Sequence, residues 1–598
     1  MVNGRRPTTD SGTVLMHAIF VVSYVVLVFT GLRIASDDPA AAWLAVLDPI
    51  LPMEQLWYRH LTAAVVFSAT LFGYAVYIVR ARLTARVRLD GARYRTILHR
   101  RRTRWAAYNS AVYWLLMAAL LIEVTTGLAL FVGVDGPILT IHLTTTWITL
   151  GLVGLHVALH AMAGGLPQVL RVLRPAPLAV PAAPPNLAEL LAEQLRLREW
   201  AGGPETRLPP APPADQAALR RRMAHPGLAA AAITSGLILG AIAFEMCTRP
   251  TLRIIEIPAS EAPVIDGDLS DPVWTKAQPV IVQTTQGGDF GGTGASRVEI
   301  RAVHDERFVY FSFVWSDPTR SLKHLPLVKT ASGWQVAAGS TEPGNETVYH
   351  EDKFSVLLSR PVFPLIGAAI HLSAAPRADR PASGTGRGMH YTLDGSIADV
   401  WVWRASHGGR AGHVDNAHFG AAIEPSEEHL EGRARYPGGF SLDPGPVPYR
   451  ANVTKRRTAL NDGGTILPER LPRDLEATTR ALGHIADTAA QSESEGARWW
   501  MSEAESLPYS KLVDDKIPIG TIIPGVVTQD EVAMRDDSVR GVARWAAGRW
   551  TLEVVRRLNT GSKFDVPIKT GTLMWVAAFD HAETRHSRHL RPIGLEVD

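Results

Sequence analysis

The chain has 598 residues, of which 46% are hydrophobic and 20% charged, with a net charge of +3 and a single cysteine, Cys247. One thiol excludes an internal disulfide, a cysteine zinc site, an iron–sulfur cluster and thioether-attached c-type haem. The excess charge is Arg concentrated beside apolar runs, which points to membrane topology and not to nucleic-acid binding.

Five runs are apolar and long enough to span ~30 Å of hydrocarbon: 13–33, 56–79, 106–132, 141–164 and 227–247. The opening stretch, MVNGRRPTTDSG, has no apolar core and no small-residue cleavage site, so the first run reads as a retained anchor. The loop at 80–104 holds ten Arg and one Asp, and the loop at 165–226 carries Arg171, Arg174 and Arg220–Arg222. The loop at 34–55 has Asp37, Asp38, Asp48 and Glu54 without Lys or Arg, and that at 133–140 has only Asp135. The positive-inside rule then puts the N-terminus and both basic loops in the cytoplasm. Five crossings deliver residues 251–598 to the opposite side.

Four histidines fall inside these spans: His17, His60, His142 and His156. Ionisable groups at membrane depth are costly and mark function. His142 and His156 are fourteen residues apart on one helix, which is ~21 Å along the axis with nearly the same facing. Orientation sets the depths: His60 and His142 lie near the outer face, His17 and His156 toward the inner. Two imidazoles at each level describe two stacked haems, with iron satisfying one nitrogen of each ring. The alternative for any one of them is an interfacial or helix–helix hydrogen-bonding histidine. His160, four residues after His156, shares its face and is the rival inner ligand.

This pattern resembles the b-type cytochrome subunits of formate dehydrogenases and nickel–iron hydrogenases, over residues 13–174. In that family helices one and two supply one His each and helix four supplies two His fourteen residues apart, which favours His156 over His160. The resemblance implies b-type haem, a bacterial inner membrane and quinone chemistry near the inner haem. Asn109 and Arg104, near the start of the third span, are candidate contacts for the quinone. Residues 1–174 are thus expected to form a four-helix di-haem domain. Residues 175–226 read as a cytoplasmic Pro-rich linker (RPAPLAVPAAPPN, LPPAPPAD) around a short amphipathic helix. The span within 227–250 lacks His, and its Gly236, Gly240 and Ala-rich face would suit close packing on another helix.

Residues 251–598 change character to strand-like runs and turn signals. SRVEIRAVHDERFVYFSFVWSD reads as two β-rich runs about an Asp-Glu turn, and EDKFSVLLS and GTLMWVAAFD as further strands. Arg297 to Val303 alternates polar and apolar residues, as a strand with one buried face does. The expected class is an all-β, immunoglobulin-like or DOMON-like antiparallel sandwich, with long insertions in 407–550.

PVIDGDLSDPVW, from Pro263 to Trp274, resembles the opening of sandwiches shared by carbohydrate-binding modules and haem-binding ectodomains. FVYFSFVWSDPTRS, EDKFSVLLS and GMHYTLDGSIADVWVWRAS resemble the haem-binding gamma subunit of ethylbenzene dehydrogenase, which serves periplasmic molybdenum enzymes. That family binds iron through a Met and through a Lys that follows an Arg near the C-terminus. Setting Arg585 at the Arg places His589 where the Lys would be, with Met389 or His390 as the other ligand. Met/His and His/His pairs are both competent. The whole then reads as a membrane cytochrome b subunit of a respiratory complex, passing electrons between quinone and a periplasmic redox protein or catalytic subunit through two or three b haems. No catalytic triad, nucleotide loop or hydrolase motif gives it a substrate-transforming site of its own. The competing reading is a membrane-anchored sandwich that grips a carbohydrate or a partner protein, with Trp401 and Trp403 as surface aromatics.

Overall fold

The computed structural model describes the chain apart from residues 1–7, 36–42, 45, 48–49, 53–55, 89–94, 96–103, 135–136, 179–224, 285–295, 338–350, 362–369, 373–389, 408–411, 432–435, 446, 454–465, 484–492, 495, 530–538, 581–585 and 588. Most of the Pro-rich linker and Met389 therefore lie outside the described residues. The chain divides into two units, one of residues 1–35 and 59–245 and the other of 36–58 and 246–598.

In the first unit, helices α1 (Ser11–Ala35), α2 (Leu56–Arg80), α3 (Arg104–Phe131), α4 (Ile138–Val169) and α5 (Pro226–Thr248) coincide with the five apolar runs. Their outer surfaces are apolar and exposed, as at Val22, Leu115, Ile148 and Leu239, the pattern of helices solvated by lipid. Phe67, Leu116 and Leu120 form an inner seam against Phe20, Tyr24 and Leu152. The backbone of α4 leaves helical geometry at Gly164 and Gly165, just before Pro167, which ends the regular span where the apolar run ends. Asp10 anchors one end of the bundle. Its carboxylate accepts from the Thr13 amide (2.8 Å) and hydroxyl (2.9 Å), from Tyr77 of α2 (2.6 Å) and from Arg86 (2.7 Å). It thereby caps α1 and ties it to the end of α2.

The packing of α5 differs from expectation. Gly236 and Gly240 have open space around them, whereas a Cβ on Gly73 of α2 would strike Thr234, Ala230 and Met16. The close approach thus uses Ala230 and Thr234 of α5, with the small residue supplied by α2.

The second unit contains a twelve-stranded β-structure. Its strands are β1 (Thr251–Glu256), β2 (Val280–Thr284), β3 (Ser296–His304), β4 (Phe308–Ser316), β5 (Lys353–Ser359), β6 (Ala398–Arg404), β7 (Asp415–Phe419), β8 (Phe440–Leu442), β9 (Arg540–Trp545), β10 (Arg549–Arg557), β11 (Leu573–Phe579) and β12 (Ile593–Val597). The order is β8-β7-β6-β5-β11-β12-β1-β3-β4-β10-β9, with β2 beside β3. Strand β1 joins the two faces: its first residues pair in parallel with β12, then Ile255 and Glu256 pair in parallel with β3. All other ladders of this sheet are antiparallel. The expected hairpin is β3–β4, its turn held by Asp305, whose carboxylate accepts from the Arg307 and Phe308 amides (2.7 Å each).

The core between the faces is aromatic: Phe311, Phe313, Trp315, Phe354, Trp401, Trp403 and Trp550 are all buried. Trp315 stacks on Phe354 at 4.5 Å and meets Trp403 at 6.0 Å. Trp401 and Trp403 are 1% and 4% exposed, so they are core residues of β6 and not the surface aromatics expected. Alternation puts both on one face of the strand, and that face is the inner one.

The PVIDGDLSDPVW segment forms a loop and a short helical turn closed on one carboxylate. Glu553 of β10 accepts from the Trp274 indole (2.8 Å) and from the Asp266 (3.0 Å) and Gly267 (2.9 Å) amides. Gly267 is required there, with φ of 81° and Cβ space only 3.0 Å from the Ala543 carbonyl carbon. Glu553→Ala leaves these donors unmatched at about 1–3 kcal/mol each. Denaturant unfolding of the detergent-solubilised protein, followed by Trp fluorescence, is expected to show a loss of about 3 kcal/mol or more; an unchanged midpoint contradicts this role.

Candidate functional site

The helices bring the intramembrane histidines together at two levels. His60 and His142 are electrostatic neighbours, and His17 is a neighbour of both His156 and His160.

His60 and His142 sit in equivalent cradles. Thr30 of α1 lies 2.9 Å from His60 Nδ1, and Thr126 of α3 lies 2.8 Å from His142 Nδ1. Each threonine already spends its single hydroxyl hydrogen on the carbonyl one turn earlier, Thr30 on Val26 (2.6 Å) and Thr126 on Ile122 (2.8 Å). Toward the imidazole each hydroxyl can therefore only accept. Both rings must then carry hydrogen on Nδ1 and present a bare Nε2, the form that ligates a metal. The next residue in each case is glycine: a Cβ on Gly31 would come 3.3 Å from His60 Cε1, and one on Gly127 would come 3.5 Å from His142 Cε1. The same Thr-Gly-Leu triplet thus serves both helices.

Glu123 adds a second acceptor, with Oε2 3.1 Å from His142 Nδ1. Its other oxygen is buried without a hydrogen bond. Sequence reasoning missed both this carboxylate and the threonines, although Glu123 is the sole acidic residue of α3 and Thr-Gly-Leu recurs in α1 and α3. At the inner level, His160 Nε2 is 3.1 Å from the Asn109 side-chain amide. Among the described residues His156 Nδ1 is buried with no hydrogen-bond partner, and its ring meets that of His160 edge-on at 4.8 Å.

In the sandwich, His589 is enclosed and fully satisfied. Its Nε2 accepts from the Val576 amide (2.9 Å) and its Nδ1 donates to the Arg591 carbonyl (2.7 Å). Burial, opposed only by the Arg591 contact, pushes its pKa down to about 4. Both nitrogens are committed to the main chain, so this geometry does not support His589 as an iron ligand. His586 is the residue set opposite His390, with ring centroids 6.1 Å apart. Two imidazoles on either side of one metal ion, with bonds of about 2 Å, have centroids about 6 Å apart. His390 begins a short strand held by the bond from the Gly439 amide to its carbonyl (2.9 Å), and its ring meets Phe419 of β7 at 5.4 Å. His586 packs against Phe579 of β11 at 4.9 Å and points Nδ1 at the Ser587 carbonyl, 3.1 Å away.

A bundle with paired intramembrane imidazoles, followed by a β-sandwich, has the make-up of a membrane cytochrome b carrying a fused β domain. Residues 8–174 match prokaryotic cytochrome b561, which implies b-type haem and an electron-transfer role in the membrane. Residues 271–591 match the ethylbenzene dehydrogenase family, and the chain belongs to that family. No curated protein matches the chain. Among solved structures, it is similar to a Bacteroides uniformis protein assigned to carbohydrate binding, at 8% identity over 59% of this chain and 100% of that one, with a TM-score of 0.23. It is also similar to a family 9 carbohydrate-binding module from Caldicellulosiruptor kristjanssonii, solved with cellotriose, at 8% identity over 58% of this chain and 93% of that one, with a TM-score of 0.20. Likeness at that level says nothing of a ligand.

The sandwich also gathers three carboxylates, Asp317, Asp352 and Asp580. Asp352 accepts from the Ser321 amide (2.8 Å) and the Trp550 indole (3.1 Å). Burial first, and then the charge of Asp580, push Asp317 up to about 7; burial and Asp317 push Asp352 well above the carboxylate range. A raised folded-state pKa means that the folded protein holds protons the unfolded chain releases. The stabilisation is complete below the unfolded value of 3.8 and is lost as pH rises through about 7. Folding is therefore expected to be more stable at pH 5 than at pH 8 by on the order of 2–4 kcal/mol, read as a higher thermal unfolding midpoint at pH 5. Asp317→Asn is expected to flatten that dependence; an unaltered pH profile in the variant contradicts it.

Proposed function

We propose that this protein carries electrons between the quinone pool and an exported redox partner, through two b haems in the bundle and a third in the sandwich. The observation that carries the reading is the pair of like threonine cradles at His60 and His142, each of which engages Nδ1 and leaves Nε2 for a metal. His60 with His142 would hold the outer haem, and His17 with His156 the inner one. His160, engaged by Asn109, is then free of an iron-binding role. That His–Asn pair, with the Asn109 oxygen buried and unpartnered, is a polar contact for a quinone headgroup beside the inner haem. Bound haem supplies a one-electron carrier at each level; the chain supplies its ligands, fixes their tautomers and excludes water.

The asymmetry of Arg across the loops supports a cytoplasmic N-terminus with residues 251–598 on the periplasmic side of a bacterial inner membrane. A catalytic subunit or soluble redox protein would dock there. The competing reading as a carbohydrate-gripping module loses Trp401 and Trp403 as a stacking platform, since both lie in the core.

Pyridine haemochrome analysis of the purified chain is expected to give three haems. His60→Ala or His142→Ala should remove one and leave the inner pair's spectrum intact; a total of one haem or none in the unaltered protein would sink the pairing.

For the third haem, the ligands we propose are His390 and His586. His586→Ala should turn one low-spin signal high-spin, while His589→Ala should leave spin state alone and cost stability. The reverse result would restore His589 as the ligand.

A further inference from the structure

We propose that His324, Glu351 and His407 form a site for one divalent transition-metal ion of the zinc class, separate from every haem position. The three residues come from three places in the chain. His324 lies in the segment after β4, Glu351 just before β5, and His407 just after β6. Their ligand atoms all fall within 4.8 Å of one another. Glu351 is held from behind: the Ser406 amide (2.7 Å) and hydroxyl both donate to Oε2. His407 Nδ1 lies against both carboxylate oxygens, 3.0 Å from Oε2 and 2.9 Å from Oε1, and His324 Nδ1 is 3.5 Å from Oε1. A tetrahedral ion with bonds of about 2.0–2.2 Å needs its ligand atoms about 3.4 Å apart, so the set requires little movement to close on one.

Two atoms point to an occupant. Among the described residues, neither Glu351 Oε1 nor His324 Nδ1, both buried, has a hydrogen-bond partner of good geometry. Buried polar atoms left in that state cost about 1–3 kcal/mol each, and one ion would satisfy both. The surrounding charge is balanced. Arg404 comes 3.7 Å from Glu351 Oε1, but its Nε is paired with Asp415 at 2.9 Å. Tyr449, whose ring lies 4.2 Å from that of His407, gives its hydroxyl hydrogen to the same Asp415 at 2.6 Å. The Glu351 side chain is fully buried, while that of His324 is 16% exposed. The His324 edge is therefore the side of the set nearest to solvent. Two imidazoles and one carboxylate with an open fourth position suit zinc or its neighbours better than calcium or magnesium, which prefer all-oxygen shells.

The test uses the full-length protein in detergent, stripped with chelator, reloaded with Zn2+ or Co2+ and desalted. One zinc per chain is expected, with cobalt giving the visible bands of a tetrahedral nitrogen-containing site. Glu351→Gln and His407→Ala should each lower retained zinc tenfold or more with haem content unchanged, whereas Asp317→Asn should keep it. Absence of both retained zinc and cobalt bands in the unaltered protein overturns the proposal whether or not the variants fold. So does zinc retention in Glu351→Gln equal to that of the parent, or loss that follows Asp317→Asn instead.

Discussion

An imidazole in hydrocarbon must have each nitrogen answered, and this requirement organises the membrane half. Water is absent, so the answer comes from a neighbouring helix or from a metal. Thr30 and Thr126 answer one nitrogen each, and they can do so only as acceptors, because their hydrogens are bound to Val26 and Ile122. The other nitrogen is left as a lone pair. Helix pairing follows from this: α1 must lie against α2 to bring Thr30 to His60, and α3 against α4 to bring Thr126 to His142. Glycine after each threonine keeps the backbone close enough for the contact. The bundle is in this sense two copies of one hairpin, each a threonine helix followed by a histidine helix.

The levels differ in how they are furnished. His142 has a carboxylate beside it, Glu123, in addition to its threonine. A carboxylate on the far nitrogen of a ligating imidazole raises its basicity and favours the oxidised metal. His156 has no such partner on Nδ1. The two haems proposed for the bundle would therefore have unlike potentials, which gives transfer between them a preferred direction without any difference in ligand type.

In the sandwich, strand β1 performs the analogous organising task. It pairs with β12 on one face and β3 on the other, so the first residues after α5 belong to both sheets. Two of the buried polar clusters meet just ahead of β5. Glu351 and Asp352, adjacent residues ahead of β5, belong to different clusters: Glu351 meets two histidines and Asp352 meets two other carboxylates. Successive side chains of an extended segment point to opposite sides, so one short run serves two environments.

Much of the architecture could be read from residue pattern alone. Five apolar runs became five helices, because length and hydropathy suffice where lipid is the solvent. The fourteen-residue spacing of His142 and His156 on one helix separates them by ~21 Å along its axis, so the sequence alone keeps them apart. The β3–β4 hairpin, with its Asp305 turn, was equally legible from local alternation. What remained hidden depended on contacts between segments distant in sequence. The Thr30–His60 bond spans two helices, and Glu553 closes a loop nearly three hundred residues upstream. Trp401 and Trp403 could be assigned to one face of a strand, yet only the packing of the second sheet decided that this face is the core. His589 and His586 are three residues apart in the same basic tail, and no periodicity separates them. The tertiary structure does, because it brings main-chain groups to both nitrogens of His589 and sets His586 opposite His390. Sequence determines what a side chain can do; which partner lies within about 3 Å is settled by packing.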